Sequence, residues 1–248
     1  MQYTQISRRS AGGKIDWEKQ YLTFIPVEDT VFSWAERATS GHLEYSLNGG
    51  QTWVTIANGE STPTITAGNK VMWRGDLKPV YNTSSVATNG GIGKFSATGN
   101  YHACGNTMSL LFYDNYYGSQ LYGNDYRISF AGLFYQDTNI LTAPLLPSTT
   151  LTERCYHSMF FGCTSLTVAP ELLANTLVSY CYYSMFTRCT SLNYIKCLAI
   201  SKSADRCTNG WLSDVASKGT FVKATGIEDW PTGASGIPTG WTVVDDNS

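Results

Sequence analysis

Apolar and polar positions alternate in short runs through the first third of the chain. Runs at 21–25, 31–34, 43–47, 53–56 and 71–73 are rich in aromatic and β-branched residues and bounded by Gly, Pro, Asn or Asp, which predicts five strands. Their spacing suits a small antiparallel β-sandwich over 21–80. Between the third and fourth runs stands Asn48-Gly49, a pair that supplies the positive backbone dihedrals of a tight hairpin turn.

Beyond residue 120 the alternation gives way to a longer period. Aligning 147–172 with 173–198 matches 12 of 26 positions without a gap, among them Cys155 with Cys181, Tyr156 with Tyr182, Met159 with Met185, Phe160 with Phe186 and Cys163 with Cys189. A degenerate copy precedes them at 121–146, where Phe134 falls in register with Phe160, and another follows at 199–224, where Cys207 falls below Cys181. Divergent end copies are expected of a stack that must be capped. Within one copy, Cys155, Tyr156, Met159, Phe160 and Cys163 recur at spacings of one, three and four, which predicts a helix over 152–163. The apolar stretch 166–169 follows and ends at Pro170. A short helix and an extended segment repeated every 26 residues predict a leucine-rich-repeat-type solenoid.

The expected class is therefore mixed α and β: an N-terminal antiparallel β-sandwich followed by a short solenoid of 26-residue coils. Its parts would be an arm at 1–20, the sandwich at 21–80, a connecting and capping segment at 81–120, and four repeats at 121–146, 147–172, 173–198 and 199–224. A turn-rich cap at 225–248, marked by Trp230-Pro231 and Ile237-Pro238, would close the stack. The seam between the units is placed at 81–106, which is rich in Ser, Thr, Asn and Gly.

Composition narrows the function. With 17 Lys and Arg against 19 Asp and Glu in 248 residues, there is no basic field to neutralise a phosphate backbone, so nucleic acid is not an expected partner. No apolar run approaches the roughly 18 residues of a spanning helix, so membrane insertion is not expected either. The seven cysteines fall mostly at repeat positions and read as packing residues; their 8- and 26-residue spacings lack the close pairs of a zinc site. His42, His102 and His157 stand in unrelated contexts with no nucleophile signature beside them. Residues 147–198 hold only Glu153 and Glu171 as acids, too few for glycoside hydrolysis, although Asp114 and Asp125 could meet across a cleft. No catalytic residue, metal or cofactor is expected.

Candidate binding residues come from the aromatic surplus. Tyr113, Tyr116, Tyr117, Tyr122 and Tyr126 cluster among Asn, Asp, Ser and Gly, a mixture that gives large contact area at low entropic cost together with adaptable hydrogen bonds. Packing over the first repeat would explain the same rings. If the stripe from Cys155 to Cys163 faces inward, His157 and Phe161 point outward, with Tyr135 one repeat earlier and Tyr183 one repeat later, forming an aromatic strip across the coils. Contact with the N-terminal unit or another subunit is the competing use of that strip.

The run CYHSMFFGCTSLTVAPEL, repeated as CYYSMFTRCTSLNYIKCL, resembles the BspA-like leucine-rich repeat family of bacterial surface proteins common in gut Bacteroidales, over about 120–225. The resemblance implies an adhesive solenoid, and similar chains also occur as virion surface or fibre components of phages infecting those bacteria. A second likeness links Ser46-Leu47-Asn48-Gly49-Gly50-Gln51-Thr52-Trp53 to the Asp-box hairpin of sialidases, a turn-forming element remote from the chemistry. The opening MQYTQISRRS lacks an apolar leader, which favours a virion protein that leaves by lysis over an exported adhesin. The expected function is thus a noncatalytic recognition or structural module on a virion surface, with a bacterial cell-surface adhesin and a carbohydrate-active enzyme as alternatives. Its partners would be other virion or surface proteins, a host surface protein or glycan, and further copies of itself in a homo-oligomer.

Overall fold

The computed structural model describes residues 16–82, 84–86, 90–227 and 230–247, so most of the expected N-terminal arm lies outside the described residues. The five strands read from the alternation are present as β1 (Leu22–Pro26), β2 (Phe32–Glu36), β3 (Leu43–Ser46), β4 (Val54–Ile56) and β5 (Val71–Gly75). Two more, β6 (Gly93–Ala97) and β7 (Tyr101–Cys104), arise inside the stretch expected as a seam. Both belong to the sandwich: β6 pairs with β2 and β7 with β1, both antiparallel.

A six-stranded sheet runs in the order β4-β3-β5-β1-β7-β8, where β8 is Ile140–Thr142 and joins β7 in parallel; β2 and β6 form a separate ribbon. The two sheets meet through rings. Phe24 of β1 lies 5.2 Å from Phe32 and 5.0 Å from Phe95, and Trp73 of β5 lies 4.9 Å from Phe95. Each of these rings is buried to the last few per cent, so the interface supplies the apolar burial that a marginal pair of sheets needs. The arrangement is consistent with an N-terminal β-sandwich. A one-turn helix, α1 (Ser109–Phe112), closes its end, with Ser109 Oγ accepting from Leu22 N–H and donating to Trp73 O.

The hairpin at Asn48-Gly49 forms, but not as a two-residue turn. Register Tyr45↔Val54 leaves a longer loop over 47–53, in which Gly49 and Gly50 both take positive φ. Asn48 Oδ1 accepts from Thr52 N–H and Ser46 Oγ, and Ser46 Oγ accepts from Gly50 N–H. Side chains here replace the short turn's own backbone bonds.

The repeats depart furthest from expectation. The fold is mostly β, with 27% strand and only 6% helix; the described residues form three sheets and show no solenoid closure, which overturns the mixed α and β class and the leucine-rich-repeat-type solenoid. No helix forms over 152–163. The chain makes consecutive turns instead, with a left-handed residue at every fourth position: Arg154, Ser158 and Gly162 in one repeat, Tyr180, Ser184 and Arg188 in the next. Hydrogen bonding alternates along the ribbon. Cys155, His157, Met159, Phe161 and Cys163 donate three residues back, whereas Arg154, Tyr156, Ser158, Phe160 and Gly162 donate to carbonyls of the following repeat, from Ser179 to Thr187.

An apolar spacing of four explains the difference. At 100° per residue an α-helix would carry each fourth residue about 40° further round, so Cys155, Met159 and Cys163 would drift off the core face. In a ribbon that turns once per four residues they return to it. The 26-residue register then stacks like side chains directly. Phe95, Phe134, Phe160 and Phe186 follow one another at centroid distances of 6.0, 5.3 and 5.6 Å, and Phe130, Tyr156 and Tyr182 at 5.7 and 6.1 Å. In the last copy Trp211 stacks on Tyr182 at 6.1 Å, and Trp230 stacks on Trp211. All seven cysteines are free thiols; Cys163 Sγ donates to Phe134 O and Cys189 Sγ to Phe160 O, one repeat back.

The extended segments of the last two repeats, β9 (Tyr194–Cys197) and β10 (Thr220–Lys223), form a parallel sheet with β11 (Thr242–Asp245) from beyond the repeats, and Val168 bridges to Tyr194. Through Phe24, Phe95 and Phe134 the sandwich core continues into the repeat core without a break.

A left-handed residue other than glycine costs roughly 1–2 kcal/mol. Ser184 holds such a position at φ 49°, partly exposed. Ser184→Gly should therefore stabilise the fold by about 1 kcal/mol, and Ser184→Ile should destabilise it by more, as read from chemical denaturation midpoints. A loss of stability in the glycine variant would contradict the turn geometry.

Candidate functional site

The five clustered tyrosines do not form one surface. Tyr116 is buried, donates to Lys19 O at 2.7 Å and packs on Tyr21 at 4.9 Å. Tyr126 packs on Phe112 and accepts from Lys78 Nζ at 2.9 Å. Tyr113 lies beneath the Arg74 guanidinium at 5.2 Å. Only Tyr117 and Tyr122 are well exposed, at 57% and 63%. Packing thus accounts for three of the five rings.

Around Arg74 lies a charged knot that spacing alone did not reveal. Arg74 donates to Glu44 Oε2 at 2.8 Å and to Asp114 Oδ1 at 2.9 Å, and stacks on Trp53 at 4.2 Å. Tyr21 donates to Asp114 at 2.7 Å; that hydroxyl, followed by Arg74, holds the Asp114 carboxyl below its ordinary range. The knot ties the segment after α1 to β3 and β5. Asp114 is thereby engaged in this knot, whereas Asp125 stands exposed in a separate turn.

The expected strip of Tyr135, His157, Phe161 and Tyr183 divides into two stacks, because His157 and Phe161 stand one turn apart. Tyr135 lies on Phe161 at 5.0 Å and His157 on Tyr183 at 4.7 Å. All four are half-buried.

Arginines interleave with these rings. Arg127 lies 4.0 Å over Tyr81 and reaches Glu153 at 3.4 Å; Arg154 pairs with Glu153 and lies 4.2 Å over Tyr180. Tyr180 lies 5.6 Å from Tyr183 and 5.8 Å from Arg206, and Arg188 covers Phe161 at 5.6 Å. The result is a connected row from Tyr81 through Arg127, Glu153, Arg154 and Tyr180 to Tyr183 and His157. Arg154, Tyr180 and Arg206 share one repeat position, at the left-handed residue of the first turn. Arg154 and Tyr180 are partly exposed there and Arg206 is exposed, whereas Ile128, at the same position one repeat earlier, is buried.

An apolar cleft of about 130 Å³ lies elsewhere, between β7, β8 and residues 167–173, with Trp17, His102, Cys104, Thr142 and Glu171 among its walls. Burial pushes the Cys104 thiol up to about 12, so it is not an activated nucleophile. Among the described residues no group of three His, Cys, Asp or Glu is placed to hold a metal ion. No described helix is long and apolar enough to cross a membrane.

Comparison with family models, curated proteins and solved structures finds no match. The site therefore has to be read from its own chemistry.

Burial, and then the Arg154 charge, lower the His157 pKa from 6.5 to about 4. The folded chain holds this imidazole neutral while the unfolded chain protonates it near 6.5. Its contribution to stability is present above pH 6.5 and is lost as pH falls toward 4. Melting curves of His157→Phe should show a shallower fall over that window than the parent. Parallel curves would show that His157 does not titrate there.

Proposed function

We propose that the chain is a noncatalytic recognition module whose binding face is the row of stacked rings and guanidiniums on the repeats. The observation that carries this reading is the juxtaposition of Arg154 over Tyr180 and His157 against Tyr183 on a backbone hydrogen-bonded from repeat to repeat. Flat ring faces suit the C–H faces of sugars, and guanidinium forks suit carboxylate and hydroxyl oxygens. Half-burial limits the entropy lost when such side chains are held for a ligand. A surface glycan of the host is the ligand class we favour. The resemblance of the repeats to BspA-like surface proteins supports a role in attachment, and a virion surface or fibre is the setting we propose for it.

Binding of the purified chain to immobilised mucin-type and capsular glycans tests this reading. The parent should bind at least one class, and Tyr183→Ala or Phe161→Ala should weaken it about tenfold or more, while the melting midpoint moves only a few degrees. Absence of binding to every glycan, unchanged binding by both variants, or cleavage of a glycan would each overturn it.

A further inference from the structure

We infer that the outer edge of β11 pairs with β11 of a second copy about a two-fold axis, with Val244 facing Val244. The strand ends the parallel sheet β9-β10-β11, and all four of its residues are exposed. Val243 continues the row Ile195–Phe221, whose other members are fully buried, yet is itself 42% exposed; Val244 is 40% exposed on the opposite face. The core row thus runs out onto a strand with apolar side chains on both faces.

Edges of this kind are ordinarily protected by an unpaired charge, a proline or a bulge. Here the two carboxylates are neutralised: Asp245 pairs with Lys223, and Asp246 with Lys196 at 2.9 Å. Pairing with β10 runs unshifted from Thr242 to Asp245, and the strand contains no proline.

The backbone fixes the register. Thr242 N–H donates to Gly219 O and Asp246 N–H to Lys223 O, so Thr242, Val244 and Asp246 turn their amides toward β10. Val243 and Asp245 direct theirs outward. An axis normal to the sheet sets the two copies antiparallel, and outward groups must meet outward groups. Centring on Val244 sets Val243 of each copy against Asp245 of the other and satisfies every outward N–H and C=O of both residues. It also places the two Val244 side chains in the closer, non-hydrogen-bonded type of pair. Centring on Val243 satisfies only half of these groups, and centring on Asp245 opposes two carboxylates.

Sedimentation of the full chain over a range of concentrations should show a monomer–dimer equilibrium. Val243→Pro removes an outward N–H without touching the bonds to β10; it should shift that equilibrium to monomer and leave the melting midpoint nearly unchanged. Under mild oxidation Val244→Cys should form a disulfide-linked dimer, and Val243→Cys, which faces Asp245 across the axis, should not. A parent that stays monomeric at all concentrations, a dimer indifferent to Val243→Pro, or equal cross-linking of the two cysteine variants would overturn the assignment.

Discussion

Everything in the C-terminal half depends on how the ribbon of turns divides its backbone donors. In an α-helix every interior N–H is consumed within the segment, and neighbours are held by side chains alone. Here every second N–H is given to the following repeat, as Tyr156 gives to Cys181 O and Phe160 to Met185 O. The repeats are therefore bonded to one another along the backbone, and the rings stack because the register is already set. Left-handed residues at Arg154, Ser158, Tyr180, Ser184 and Arg188 are the conformational cost of that division.

The same constraint makes the surface. The stacking of repeats brings Arg154, Tyr180 and Arg206, which share one left-handed position, over one another. Cation–ring contacts at 4.2 and 5.8 Å follow from that placement. The core beneath is continuous with the sandwich through Phe24, Phe95 and Phe134, so the face is supported from below by packed rings.

Much of this was legible in the chain. The five strands of the first third announced themselves by short aromatic and β-branched runs between turn residues. The 26-residue register was legible too, since identical side chains such as Phe160 and Phe186 must occupy identical environments to stack 5.6 Å apart. What misled was the local period. Cys155, Tyr156, Met159, Phe160 and Cys163 satisfy a helical stripe almost as well as a four-residue turn, and the distinction lies in backbone dihedrals that side-chain identity barely records. Among the residues at these left-handed positions, only Gly132, Gly162 and Gly210 hinted at positive φ. For the tyrosine cluster, composition identified contact-forming residues but not which contacts. Tyr116 and Tyr126 find theirs inside the chain through Lys19 O and Lys78 Nζ, partners distant in sequence. β6 and β7 were hidden in a stretch whose Ser and Gly content reads as loop, although Phe95 and Tyr101 fill the centre of the sandwich.

Scalar couplings across hydrogen bonds, measured by solution NMR on the isotope-labelled chain, test the division of donors most directly. The account predicts a coupling from the Tyr156 amide nitrogen to the Cys181 carbonyl carbon and from Phe160 to Met185. Couplings from Phe160 to the carbonyl of Tyr156, four residues back, would place a helix there and contradict it.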